Sequence, residues 1–224
     1  MATRLSVIVP ALNEAPAIRE ALEALAPLRG CGHEVIVVDG GSNDATASLA
    51  ASACDRLLVA PRGRALQMNA GALAASGDAL VFLHADTRLP ERADELIDTA
   101  LARATWGRFD VRIASSRPLL ALVGWAINLR SRLTGIATGD QAMFVRRDAF
   151  PGFPEIPLME DIALSRLLKR RGPPACVRAP VVTSARRWEA RGVWRTILLM
   201  WRLRLLYAFG AAPQRLARHY ANQR

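Results

Sequence analysis

The sequence predicts an α/β fold, a mostly parallel sheet flanked by helices, with a helical C-terminal extension. Three observations carry this. Four short runs in the first half, LSVIVP, EVIVVD, RLLVA and ALVFL, are apolar almost without interruption and rich in β-branched residues. Strands apolar on both sides belong to parallel sheets covered on both faces. Each run is followed by a stretch of helical length, the alternation that such a sheet requires. Finally, 224 residues that are 51% hydrophobic and 22% charged suit one globular unit rather than a disordered chain.

Taken in order, Leu5 to Pro10 is the first strand and Ala15 to Leu28 an Ala/Leu/Glu-rich helix. Glu34 to Asp39 is the second strand, ending in Gly40-Gly41-Ser42, and Asp44 to Ala53 a helix. Arg56 to Ala60 is the third strand. Arg64 to Ser76 is a helix stopped by Gly77. Ala79 to Leu83 is the fourth strand, ending in His84-Ala85-Asp86. Pro90 opens a helix through Ala104, with Glu91, Asp94 and Glu95 in the first turn, where acids suit the helix dipole. Farther on, Arg108 to Ile113 alternates like a half-exposed strand and Pro118 to Leu133 is an apolar helix. Gln141 to Arg146 is a strand. Phe150 to Leu158 carries three prolines and is a loop. Glu160 to Arg171 is a helix, Val177 to Ser184 a strand, and Val193 to Phe209 a helix. No internal repeat or low-complexity linker divides the chain, so a single domain over 1–224 is expected.

Charge narrows the functional classes. The formal net charge is +10, but it is unevenly placed. Through Asp161 there are 16 basic and 19 acidic residues; beyond it there are 14 basic residues and one acid, Glu189. A nucleic-acid surface spread over the fold would not leave most of the chain acidic, so no nucleic acid is expected as partner. Cys31, Cys54 and Cys176 are odd in number and far apart, which disfavours a zinc site or a disulfide framework and fits a reducing compartment. The N-terminus reaches Asn13 and Glu14 too soon for a signal peptide. No apolar run approaches the ~18 residues of a membrane span. A cytoplasmic protein is expected. The helix from Val193, with Trp194, Trp201 and several leucines interrupted by Arg195, Arg202 and Arg204, fits either a core helix or an interfacial element on an anionic membrane.

In open parallel sheets, ligands bind outside the carboxyl ends of the strands. Four polar or Gly/Pro-bearing segments fall there: 10–14, 39–44, 61–64 and 84–86. His84 and Asp86 are two residues apart at a strand end and can reach one metal ion or polar ligand; otherwise they form a polar turn. Asp oxygen suits Mg²⁺ or Mn²⁺, and imidazole suits Mn²⁺ better. Asp39-Gly40-Gly41-Ser42-Asn43-Asp44 fits a ligand cradle, with Asp39 accepting from a sugar hydroxyl or a base N–H, or an ordinary strand-to-helix turn. Arg62 and Arg64, with Gln67 and Asn69 following, fit a phosphate clamp or a solvated basic turn. Glu160-Asp161 opens a helix as a candidate base or as simple dipole complementarity. Arg186-Arg187-Trp188 fits phosphate binding or Arg-on-indole stacking.

The ordered set VIVPALNE, VVDGGSNDAT, RGRALQMNAGA, FLHADT, TGDQAMFVRRDAF and MEDIALSRLLKRRG resembles the family 2 glycosyltransferases of GT-A fold. Within them it resembles the small bacterial branch associated with radical-SAM and selenodomain proteins, from about Ser6 to Tyr220. The resemblance implies an inverting, metal-dependent transfer of one sugar from a nucleoside-diphosphate sugar to an acceptor hydroxyl. It divides the chain into a nucleotide-binding half (1–104), an acceptor and catalytic half (105–184) and a basic helical extension (185–224). Pro10, Asn13, Glu14, Asp39, Gly41, Ser42, Arg64 and Asn69 would frame the donor nucleotide. His84-Ala85-Asp86 stands where the family has DxD. Asp86 would hold Mg²⁺ or Mn²⁺ on the diphosphate, and His84 metal or ribose. Gly139, Asp140, Gln141, Arg187 and Trp188 would lie near sugar and acceptor, with Asp161 as general base beside Glu160. Arg186, Arg187 and Trp188 occupy the place of the QxxRW motif of processive members. Thr183 and Ser184 stand where the Gln is expected, which favours single-sugar transfer. The acceptor is open, a lipid-linked or peptide group among the choices. Two rival activities fit the same composition: a nucleotidyltransferase, and a basic membrane- or nucleic-acid-binding protein with a degenerate site.

Overall fold

The computed structural model describes residues 3–221, apart from the side chains of Arg187, Arg191 and Ala221. The elements in chain order are β1 (Leu5–Ala11), α1 (Ala15–Glu23), α2 (Ala26–Gly30), β2 (Glu34–Asp39), α3 (Thr46–Ala51), β3 (Arg56–Val59) and α4 (Arg64–Ala74). They continue with β4 (Ala79–Phe82), β5 (Thr87–Arg88), α5 (Ala93–Leu101), β6 (Trp106–Ala114), α6 (Pro118–Thr134), β7 (Met143–Arg146) and α7 (Glu160–Lys169). The last are β8 (Ala175–Ser184), α8 (Arg186–Arg191), α9 (Val193–Ala208) and α10 (Pro213–Ala221).

One eight-stranded sheet runs in the order β3-β2-β1-β4-β7-β6-β8-β5. The apolar runs account for its parallel half: β1 pairs in parallel with β2 and β4, and β2 with β3. Alternate residues of β1 feed two cores. Val7 and Val9 pack with Ile18, Leu22 and Ile97, from α1 and α5. Ile8 packs with Met68, Leu164 and Leu168, from α4 and α7. Each such buried side chain contributes roughly 1.5–3 kcal/mol, so polar substitution at Ile8 would strip one layer from the sheet. The mixed half begins at β7, which lies antiparallel between β4 and β6. Beyond it β8 runs parallel to β6, and β5 antiparallel to β8. Strand order reverses between β1 and β4, the crevice where such sheets take ligands.

Several elements differ from the sequence expectation. The helix expected through Leu28 stops after Glu23, and Pro27 occupies the first turn of α2 instead. Within a continuous helix its ring would clash with the carbonyl four residues back. Helix α3 starts at Thr46 because the Asp44 carboxylate accepts from both the Thr46 N–H and its hydroxyl. The helix expected from Pro90 starts at Ala93, after Arg92 in a left-handed conformation.

The C-terminal helices split their surfaces. Leu203 of α9 and Leu216 and Tyr220 of α10 pack on Leu158, Met159 and Ile162 at the start of α7. Val193 packs on Ile113 and Leu120. The opposite face of α9 carries Trp194, Leu198, Trp201 and Leu205 into solvent, Trp201 being 74% exposed. Helix α6 likewise exposes Leu122, Trp125, Leu129 and Leu133. The helix is thus both a core element and an apolar outer face. Among the described residues, no helix is long and apolar enough to cross a membrane.

Candidate active site

The site is built on the carboxyl ends of β1, β2 and β4. Pro10 is buried inside β1, opposite Val38 of β2, where it shapes the strand rather than the cleft wall. After β1 the chain turns at Asn13, which has φ 54°. Asn is among the few residues that tolerate this region. Asn13 accepts from the Asn43 N–H at 2.9 Å, and its own N–H donates to Ser42 Oγ at 2.9 Å. Asp39 ends β2, buried, and accepts from the N–H groups of Gly41 and Ser42 at 2.9 Å and from the Ser42 hydroxyl. Gly41 sits at φ 84°, which a side chain would strain. Segments 10–14 and 39–44 therefore hold each other.

Gln67 of α4 lies underneath, buried, its amide donating at 2.8 Å to the carbonyls of both Ala11 and Val38. It closes the ends of two strands at once. The signal was a polar residue on the buried face of an otherwise apolar helix. Asn69, expected to frame the nucleotide, instead anchors the proline loop. Its amide donates to the Phe153 carbonyl (2.9 Å) and accepts from the Phe153 N–H (2.7 Å). Both ends of that amide are occupied by backbone.

His84 and Asp86 do not lie on a strand. β4 ends at Phe82, and the Thr87 N–H donates to the His84 carbonyl at 3.0 Å, so 84–87 is a turn. The alternation that would point both side chains one way does not apply. His84 Nδ1 lies 3.3 Å from Asp140. Its Nε2 abuts Gly139 so closely that a Cβ there would stand 2.5 Å away. Ala85 is buried. Asp86 keeps a partly exposed carboxylate, with Arg186 at 3.9 Å and the Thr87 hydroxyl at 3.4 Å. Arg186 also reaches Glu14 at 3.2 Å. It is delivered there by the β5–β8 pairing, in which Thr87 and Thr183 hydroxyls meet at 3.0 Å and the Ser184 N–H donates to the Asp86 carbonyl. Arg186 is thus the described cation of its motif at the cleft. The Arg187 side chain lies outside the described residues. Trp188, expected near the sugar, packs against Ile113, Leu120, Ala185 and Val193, because its indole completes that apolar cluster.

On the far side, Met159 holds φ 70°, rare for a non-glycine residue, and turns the loop into the first turn of α7. That turn presents Glu160 and Asp161. Asp161 accepts from the Gly139 N–H at 3.0 Å and from the Ile162 N–H at 2.7 Å. Glu160 is buried and pairs with Arg64 Nε at 3.1 Å. Burial raises its carboxyl above the ordinary range; Arg64 opposes this and the neighbouring Asp161 charge adds to it. Arg64 is therefore already matched. Gln141 is buried, its amide accepting from the Thr138 N–H and reaching Asn128, so it fastens the turn holding Gly139 and Asp140. His84, Asp140, Asp161, Arg64, Arg204 and Tyr220 line one cavity.

A divalent cation can be tested against this set. Among the described residues no group of three or more His, Cys, Asp or Glu side chains gathers to hold an ion. The open carboxylate of Asp86 fits an ion held by one protein carboxylate and by substrate phosphates, the usual habit of Mg²⁺. His84 is occupied by Asp140 and Gly139.

The comparisons with known proteins agree with this architecture. No curated protein matches the chain. Among solved structures, S. aureus TarS with UDP-GlcNAc aligns with TM-score 0.65 at 20% identity, over 81% of this chain and 58% of that one. The mannosyltransferase PcManGT from Pyrobaculum calidifontis, with GDP-Man and Mn²⁺, gives 0.58 at 25% identity, over 82% and 57%. Glucosyl-3-phosphoglycerate synthase from Mycobacterium tuberculosis, with Mn²⁺, UDP and glucosyl-3-phosphoglycerate, gives 0.57 at 21%, over 81% and 70%. The chain spans less than two thirds of the first two. These likenesses show the GT-A fold. The family model described as Glycosyl transferase family 2 matches residues 6–148, which include the β1 and β2 ends, the His84–Asp86 turn and Gly139–Gln141 but stop short of Asp161. With that match over most of its length, the chain belongs to glycosyl transferase family 2.

Proposed function

We propose that the chain moves one sugar from a nucleoside-diphosphate sugar to an acceptor hydroxyl with inversion, Asp161 acting as general base. One observation carries this: Asp161 shares a cavity with His84, the first residue of the turn that carries Asp86, and its described hydrogen-bond donors are backbone N–H groups. Such donors leave carboxylate lone pairs for an acceptor hydroxyl. The β1 and β2 ends, with Asn13 and Asp39, receive the nucleotide. Asp86 holds Mg²⁺ or Mn²⁺, which when bound neutralises charge on the leaving diphosphate. Arg186, between Glu14 and Asp86, adds a fixed cation there. Neighbours solved with UDP-GlcNAc, or with GDP-Man and Mn²⁺, support the substrate and metal classes. The motifs beyond residue 148 support the radical-SAM-associated branch.

A cytoplasmic protein resting on the anionic inner face of a membrane is the matching location. The exposed Trp and Leu of α6 and α9, flanked by Arg132, Arg195 and Arg202, support it.

Asp161→Asn tests the assignment. Turnover, read as nucleoside diphosphate released, should fall by about 10²–10⁴, while nucleoside-diphosphate affinity stays within twofold of wild type. Wild-type turnover in the variant removes Asp161 as base. Release of pyrophosphate instead would point to the nucleotidyltransferase.

A further inference from the structure

The cavity that holds Asp161 has walls of unequal strength. On one side stand Arg64 and Glu160, paired at 3.1 Å, and Gly139, whose N–H donates to Asp161 at 3.0 Å. Helix α9 contributes Met200 and Arg204; it is 16 residues long and buries Val193, Thr196 and Leu203. The remaining wall is Tyr220, from α10. That helix has 9 residues, fewer than the ~12–15 a helix needs to stand alone in water. Its outer residues Gln214, Arg215, Arg218 and His219 are exposed. Leu216 and Tyr220, with the partly buried Ala217, hold it against Leu158, Met159 and Ile162, which flank Glu160-Asp161. It lies outside the sheet and follows α9 through residues 209–212. Gly210 sits there at φ 85°, a conformation glycine adopts without steric cost.

Closed in this way, the cavity has a volume of about 50 Å³. That is room for a few water molecules. Sites that take small organic ligands measure about 300–1,000 Å³. An acceptor hydroxyl borne on a carbon skeleton meets Asp161 only when a wall moves. Among these walls α10 is held by the fewest buried side chains, and such an element opens locally while the rest stays folded. We propose that α10 is a lid on the Asp161 cavity: closed, Tyr220 keeps bulk water from the base; lifted about residues 209–212, it admits the acceptor. The lid thereby favours transfer over hydrolysis of the donor. In that hydrolysis a water proton passes to Asp161 and the water oxygen bonds to the anomeric carbon. The bond from that carbon to the diphosphate oxygen breaks, its electron pair leaving with the nucleoside diphosphate. The products are the free sugar and the nucleoside diphosphate. The guarding role rests on Asp161 as base; the motion of α10 does not.

Leu216→Ala on the full chain tests this, because Leu216 holds α10 down without lining the cavity. Amide exchange is read by mass spectrometry. In the variant α10 should exchange about 30-fold faster or more, while α7 and α9 keep their wild-type rates. Leu216→Met, which conserves volume, should stay near wild type in every readout. Equal acceleration in α7 and α9 would mean that α10 opens only with the rest of the fold, and overturns the lid. Nucleoside diphosphate release is then followed with no acceptor added, from UDP-GlcNAc and from GDP-mannose with Mn²⁺. Release by Leu216→Ala should rise in step with exchange, with nucleoside-diphosphate affinity unchanged, because only the lifted state lets water reach the base. Faster exchange with no rise in release, including no release from either protein, overturns the guarding role. Adding Asp161→Asn should abolish the extra release. If the extra release survives that change, Asp161 is not the base and the lid stands.

Discussion

Gly139 touches both halves of the proposed chemistry: its N–H donates to Asp161 at 3.0 Å, and its α-carbon leaves His84 Nε2 no room for a Cβ, which would stand 2.5 Å away. The φ of Gly139 is not in the left-handed region, so alanine is opposed there by contact with the imidazole, which must shift, and not by backbone. Gly139→Ala should push the imidazole off Asp140, lower stability by about 1–3 kcal/mol, and cut turnover. Adding His84→Ala should recover most of the stability without the activity. A double-mutant cycle by urea unfolding checks the coupling; additive losses would separate the two residues.

Glu160 sets a pH dependence. Its folded pKa lies above the unfolded value, chiefly through burial. Between the two values the native state binds more protons than the unfolded chain, so stability is full below the unfolded pKa and falls as pH rises through the folded one. Glu160→Gln cannot titrate. The stability of the variant minus that of wild type should therefore grow as pH rises from the ordinary carboxylate range toward neutrality. Urea midpoints across that range would show it, and a flat or falling difference would refute it.

Asp86→Asn should weaken Mn²⁺-dependent binding of UDP or GDP by about 10–100-fold while leaving metal-free binding little changed. Titration with and without chelator separates the two. Equal weakening in both conditions would mean that Asp86 acts otherwise than through an ion.

Asn69→Ala should loosen the proline loop without touching the donor. Two hydrogen bonds to Phe153 are lost, at a cost of about 1–3 kcal/mol. Faster amide exchange across 150–158, with unchanged nucleoside-diphosphate affinity, is the expected pair of results. A large loss of affinity would return Asn69 to the nucleotide.

The membrane contact is best tested by points, since cutting after Gly192 would also remove Val193 and Leu203 from the core. Trp125→Ser with Trp201→Ser should abolish flotation on vesicles containing phosphatidylserine and leave the melting temperature unchanged. Undiminished flotation would exclude this face.

The parallel half was readable because β-branched apolar runs admit few alternatives: Glu34–Asp39 was expected and found over the same residues. The break in the first helix was also written, in Pro27, but hidden by good helix formers around it. Strand β5, two residues long, had no pattern to show. The fate of Asn69 depended on Phe153, 84 residues away, and no local spacing reports such a partner. The same holds for Arg186, whose meeting with Glu14 spans 172 residues. Sequence reasoning finds polar residues at strand ends readily. It does not tell which face the ligand and which hold the loops, because that is decided by long-range pairing.

Strand β5 has a consequence for how the protein is made. Its partner Thr183 lies 96 residues downstream, and a ribosome supplies the N-terminal portion first. While the chain is being synthesised, the parallel half can assemble, but the segment following Asp86 has nothing to pair with until β8 emerges. Arg186 follows immediately behind. The nascent protein therefore carries an unfinished cleft until β8 is made, and acquires its anchored Asp86 and the adjoining cation together.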